Sequence, residues 1–76
     1  ELYVWPNPAT TLMNVRAKSI GTLSWFDLSG RVLGGEISVD AGGTLRIPAP
    51  LPGAGNYLLK YESVKGSVTQ KVLMQP

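Results

Sequence analysis

Apolar and polar side chains alternate in short runs along this chain. Residues 56–63 are the clearest case, with Tyr57, Leu59 and Tyr61 on one face and Leu58, Lys60 and Glu62 on the other. A period of two puts successive side chains on opposite faces of a strand. Residues 67–74 follow after a turn at Val64-Lys65-Gly66, and set Val68, Gln70, Val72 and Met74 against Thr69, Lys71 and Leu73. Upstream, residues 2–5 are short and apolar. Residues 12–16 alternate Met13 and Val15 against Leu12, Asn14 and Arg16, and residues 22–27 place Leu23 and Trp25 opposite Thr22, Ser24 and Phe26. Residues 31–38 and 44–47 complete the set. No 3.6-residue apolar period competes, so six or seven short strands at roughly ten-residue spacing predict an all-β antiparallel sandwich. Trp25, Tyr57, Leu59 and Val72 are expected in its core.

The breaks between strands carry turn chemistry. Pro6-Asn7-Pro8 fixes two φ angles and withholds two N–H donors, which forces a corner. Asp27-Leu28-Ser29-Gly30 predicts a hairpin turn, with Asp27 capping backbone N–H groups and Gly30 tolerating positive φ. Gly42-Gly43 precedes the strand at 44–47. The run 48–55, with three prolines and two glycines, suits a crossover loop better than a central strand.

Nine glycines and six prolines among 76 residues leave no room for long helices. With 43% hydrophobic and 16% charged residues, the composition is that of a folded chain. No repeat or linker divides it, so residues 1–76 are read as one domain. The chain opens on Glu1 and is read as a segment of a longer protein. The formal charge is +2, but the seven basic residues are scattered, so no nucleic-acid partner is expected. Apolar stretches of three or four residues fall far short of the ~20 needed to span a bilayer, and no membrane insertion is expected.

Most catalytic chemistry lacks its parts. With no His and no Cys, there is no Ser-His or Cys-His couple, no disulfide and no zinc site. The acids Glu1, Asp27, Glu36, Asp40 and Glu62 read as solvated or capping groups. A paired-carboxylate site of Asp27 and Glu36 would need a cleft of ~300 Å³ or more, which so small a domain is not expected to offer. Gly53-Ala54-Gly55 is read as a turn, and no cofactor is expected. Two tryptophans admit a carbohydrate-binding reading, because flat aromatic faces stack on sugar rings. Trp25 alternates in phase with Leu23 and reads as core; Trp5, beside Pro6, stays open between core and platform.

Three blocks now matter together: Val4-Trp5-Pro6-Asn7-Pro8-Ala9-Thr10, then Trp25-Phe26-Asp27-Leu28-Ser29-Gly30-Arg31-Val32, and finally Gly55-Asn56-Tyr57-Leu58-Leu59 with Gly66 and Lys71-Val72-Leu73. In order and spacing they resemble the type A C-terminal sorting domain of proteins exported by the type IX (Por) secretion system of Bacteroidetes. The resemblance places the family's aromatic-Pro-Asn-Pro block on Trp5, Pro6, Asn7 and Pro8, and its D-x-x-G-R hairpin on Asp27, Gly30 and Arg31. Its Gly-x-Tyr strand falls on Gly55 and Tyr57, and its closing Gly and Lys-aliphatic strand on Gly66, Lys71, Val72 and Leu73. The chain departs from the pattern in its proline-rich stretch 48–52, where a polar turn is usual.

The resemblance implies an immunoglobulin-like sandwich without catalytic activity, serving as a signal for export of an N-terminal passenger across the outer membrane. It implies transit through the periplasm and final release or display on the cell surface. The implied partners are the outer-membrane secretion machinery and a sortase-like peptidase that removes the domain, with attachment of the passenger to the surface. Pro6, Asn7 and Pro8 read as a fold-setting corner, Gly55 and Tyr57 as structural, and Lys71 as a recognition residue on the last strand. Arg31 suits an edge charge or a partner contact equally. If the last strand lies at a sheet edge, its backbone offers a row for a partner's strand, and removal of residues 71–76 is expected to stop export. The rival reading is an accessory carbohydrate-binding sandwich of a secreted hydrolase, for which Trp5 must be exposed beside other aromatic or polar groups.

Overall fold

The computed structural model describes residues 2–6, 12–48 and 55–75. They form seven strands: β1 (Leu2–Trp5), β2 (Leu12–Ala17), β3 (Gly21–Phe26), β4 (Val32–Val39), β5 (Thr44–Pro48), β6 (Gly55–Ser63) and β7 (Gly66–Met74). The expected strands are all present, within a residue or two at each end. Asn7, Pro8 and residues 49–54 lie outside the described residues, so the corner and most of the crossover loop do too.

Two antiparallel sheets result, ordered β1-β2-β5 and β4-β3-β6-β7. As in immunoglobulin sandwiches, the second and fifth strands pair in one sheet while the third, sixth and seventh share the other. Here β4 stays beside β3 instead of extending the first sheet, as in a constant-type domain. Pro48, read from the sequence as the start of a loop, ends β5. That strand is an edge, where a missing N–H removes no ladder bond.

Two short connections fix how the sheets lie. Residues 18–20 carry the chain from the end of β2 to the start of β3, and residues 40–43 carry it from β4 to β5. Both crossings, with Leu2, Ser63 and Gly66, therefore sit at one end of the sandwich. Trp5, Leu12, Phe26, Val32, Pro48, Gly55 and Met74 sit at the other, hereafter the turn end.

Alternation decides what is buried between the sheets. Met13, Val15, Ala17 and Ile47 from the first sheet meet Leu23, Trp25, Val39, Tyr57, Leu59, Tyr61, Val72 and Met74 from the second. All four residues expected in the core are there. Trp25 and Tyr57 pack edge to face, with ring centroids 6.3 Å apart at 80°. Such a contact adds about 0.5–1.5 kcal/mol to the area buried. The inward row of β7 is only half realised: Val72 and Met74 are fully buried, whereas Val68 is exposed and Gln70 half-buried. The first sheet, with strands of four to six residues, is too short to cover all nine residues of β7.

A second departure lies in β4. Its register with β3 shifts between Leu23, opposite Ile37, and Trp25, opposite Leu33. The intervening Gly34, Gly35 and Glu36 therefore bulge away from the ladder. Paired glycines inside a strand pattern are the signal for such a bulge.

At the other crossing, the Tyr61 hydroxyl donates to the Ser19 carbonyl at 2.6 Å, tying the β2–β3 connection to the core. Gly21 passes close beneath. A methyl group there would meet the Glu62 carbonyl oxygen and come within 2.7 Å of the Tyr61 ring. Gly21→Ala is therefore expected to destabilise by about 1–3 kcal/mol in urea unfolding. Gly35→Ala, with nothing within 4 Å of the added carbon, should stay within about 0.5 kcal/mol of wild type.

Candidate functional site

The topology gathers most of the sequence-selected residues at the turn end. Phe26 pairs with both Val32 and Leu58, and Leu58 pairs with Lys71, while Tyr57 pairs with Val72 and Asn56 with Leu73. The Asp27–Arg31 turn, Gly55, Tyr57, Lys71, Val72 and Leu73 thus share one end of the four-stranded sheet. Pro6 follows Trp5 at the same end of the first sheet. Gly66 is the exception. It pairs with Ser63 at the opposite end, some nine residues or roughly 30 Å away along β6.

Alternation splits this group by role. Tyr57 and Val72 point inward and are buried, so they pack and offer a partner no side chain. Lys71 and Leu73 point outward and are exposed; Lys71 stands in a row with Leu58, Phe26 and the exposed Val32, and Leu73 stands opposite the exposed Asn56. This outer face is apolar at the turn end, with Lys71 at its margin. Towards the other end it turns polar, through Ser24, Thr22 and the Lys60–Glu62 ion pair at 3.6 Å. β7 is an edge strand of the four-stranded sheet. Lys71 and Leu73 already have interactions within the chain.

The hairpin turn is built around one carboxylate. Asp27 Oδ1 accepts from the Ser29 hydroxyl at 2.6 Å and from the backbone N–H groups of Ser29 and Arg31 at 3.0 and 2.9 Å. Asp27 Oδ2 accepts from Arg31 Nε at 3.1 Å. The Gly30 N–H closes the turn on the Asp27 carbonyl at 3.0 Å. Arg31 is otherwise well exposed, so its ion pair adds little, and its guanidinium is held at the rim of the turn end. Asp27 is thus committed to the turn. Glu36 sits in the exposed β4 bulge, and the structure does not bring the two acids together as a pair.

The Ser29 hydroxyl, and next the Arg31 N–H, hold the Asp27 carboxyl below its ordinary pKa, against a smaller opposing effect of desolvation. A depressed folded pKa stabilises the fold above the unfolded value of about 3.9 and is lost as pH falls through the folded one. Wild type should therefore exceed Asp27→Asn in stability near neutral pH, and the gap should narrow as pH falls below the unfolded value of about 3.9. A gap that stays constant in urea melts across this range would contradict the assignment. Gly30 takes φ +93° with nothing within 4 Å, so Gly30→Val should cost about 1–2 kcal/mol through backbone strain alone.

On the other sheet, the sequence misjudged the outer surface. A groove of about 600 Å³ runs along Tyr3, Trp5, Arg16, Ala17, Lys18 and Gly42, where no cleft was expected. Trp5 is 41% exposed and Tyr3 51%, so Trp5 belongs to a surface while Trp25, 3% exposed, is core. Tyr3 and Arg16 carried no motif. Their only signal was the phase of β1 and β2, which turns both outward.

The family described as secretion system C-terminal sorting domain matches residues 3–75. No curated protein matches the chain. Sorting domains of this family are generally not catalytic; they signal type IX export across the outer membrane, to the surface or beyond it, for a passenger N-terminal to them. Spanning both sheets and every strand, the match establishes that this chain belongs to the secretion system C-terminal sorting domain family.

Proposed function

We propose that this domain acts as a folded export label whose turn end is read by the type IX outer-membrane machinery. The supporting observation is the convergence of Asp27, Gly30, Arg31, Gly55, Lys71 and Leu73 at that end, with Gly66 the one exception among the described residues. In this reading the passenger crosses the periplasm with the domain folded. The machinery contacts the outer face around Lys71, Leu73 and Val32, with Arg31 at its rim. Leu2 lies at the opposite end, so an N-terminal passenger is held clear of the contact. A sortase-like peptidase then removes the domain and leaves the passenger at the surface. Asp27, Gly30, Gly55, Tyr57 and Val72 serve by shaping this end.

Removing residues 71–76 is a poor test, because it deletes the fully buried Val72 and Met74, and each loss of this size costs about 2–5 kcal/mol. Point changes on the outer face separate recognition from folding. Lys71→Glu with Leu73→Ser should weaken the contact by about 2 kcal/mol or more, the scale of an interface hot spot. The variant domain should melt close to wild type. In a type IX-competent host, the fused passenger should then accumulate in the periplasm. Undiminished secretion by this variant would overturn the assignment of the turn end.

A further inference from the structure

The outer face of the β1-β2-β5 sheet is not used by this reading, and its composition is unusual. Register places Trp5, Asn14 and Arg46 in one row across the three strands and Tyr3, Arg16 and Thr44 in the next. Each row thus begins with an aromatic ring and contains an arginine. Apart from half-buried Asn14, all are exposed, and neither row contains a carboxylate. Asn14 Nδ2 donates to the Trp5 carbonyl at 3.4 Å, holding the two strands together beneath the rings. Tyr3 and Trp5, two residues apart on one strand, stand about 7 Å from each other, and both line the 600 Å³ groove with Arg16.

We propose that this face binds an acidic polysaccharide. Two adjacent aromatic side chains on a flat strand form a platform for successive sugar rings. A guanidinium one or two strands away presents a planar fork that suits a ring carboxylate. Charge complementarity selects the acidic glycan over a neutral one, since among the described residues the two rows hold two arginines and no carboxylate. Single-stranded nucleic acid shares part of this chemistry, but among the described residues the two rows offer two rings and two arginines, short for tracking a phosphate backbone. Export across the outer membrane also takes the domain to where glycans are. The inference relies on the export role only for that location. The surface itself lies on the opposite sheet from Lys71 and Leu73, so the two contacts are independent.

The test is calorimetric or NMR titration of the 76-residue chain with an oligogalacturonate, its fully methyl-esterified counterpart and an oligothymidylate of equal charge. Submillimolar binding to the oligogalacturonate is expected, weakened about tenfold by esterification and about tenfold by Trp5→Ala, the size of one lost stack. Arg16→Gln with Arg46→Gln should cause a similar loss and flatten the salt dependence. Lys65→Gln, which removes one charge at the far hairpin, should bind within about twofold of wild type. Trp5→Tyr keeps a ring and should retain binding, which guards against misfolding in the alanine variant; thermal melts accompany each protein. No binding, equal binding by Trp5→Ala, or tighter binding of the oligothymidylate would each overturn the proposal. These outcomes leave the export assay untouched, so the two readings fail separately.

Discussion

The inward face of β6 is the constraint on which the second sheet depends. Tyr57, Leu59 and Tyr61 are all buried, and β6 pairs with β3 on one side and β7 on the other. A slip of one residue would expose three large side chains and drive Leu58, Lys60 and Glu62 inward, so the register is strongly specified. Each ring has a second task. Tyr57 meets the Trp25 ring edge to face, while Tyr61 reaches across to the Ser19 carbonyl. With β6 fixed, Lys71 and Leu73 must face outward and Val72 inward. The surface offered to a partner therefore follows from the packing of its buried neighbours.

On the proposed readings, the two contacts use separate faces of the domain. The four-stranded sheet presents an apolar end bordered by Lys71, braced by a turn whose geometry hangs on Asp27. The three-stranded sheet presents rings and arginines. The chain enters at Leu2, at the end opposite the turn.

Strong alternation made the fold legible. β6 and β2 could be placed from the period of two, and the Asp27 to Gly30 turn from side-chain chemistry, because each depends on residues close in sequence. What stayed hidden depends on residues far apart. The exposure of Val68 reflects how short the opposing sheet is, which no local pattern encodes. Gly21 is required by Glu62 and Tyr61, some forty positions downstream. The aromatic and arginine rows exist only once β1, β2 and β5 are brought into register. The gathering of Asp27, Gly55 and Lys71 at one end likewise emerges from topology. Gly34-Gly35 was different: the bulge signal was present in the sequence but lay inside an otherwise continuous strand pattern.

The central claim, that the turn end is the surface read during export, is tested most directly by site-specific photocrosslinking in secreting cells. A photoreactive side chain at Lys71 or Val32 is predicted to capture a type IX outer-membrane component, whereas the same group at Lys65, on the far hairpin, is predicted to capture none. Equal capture from Lys65, or capture from Lys65 alone, would contradict the account.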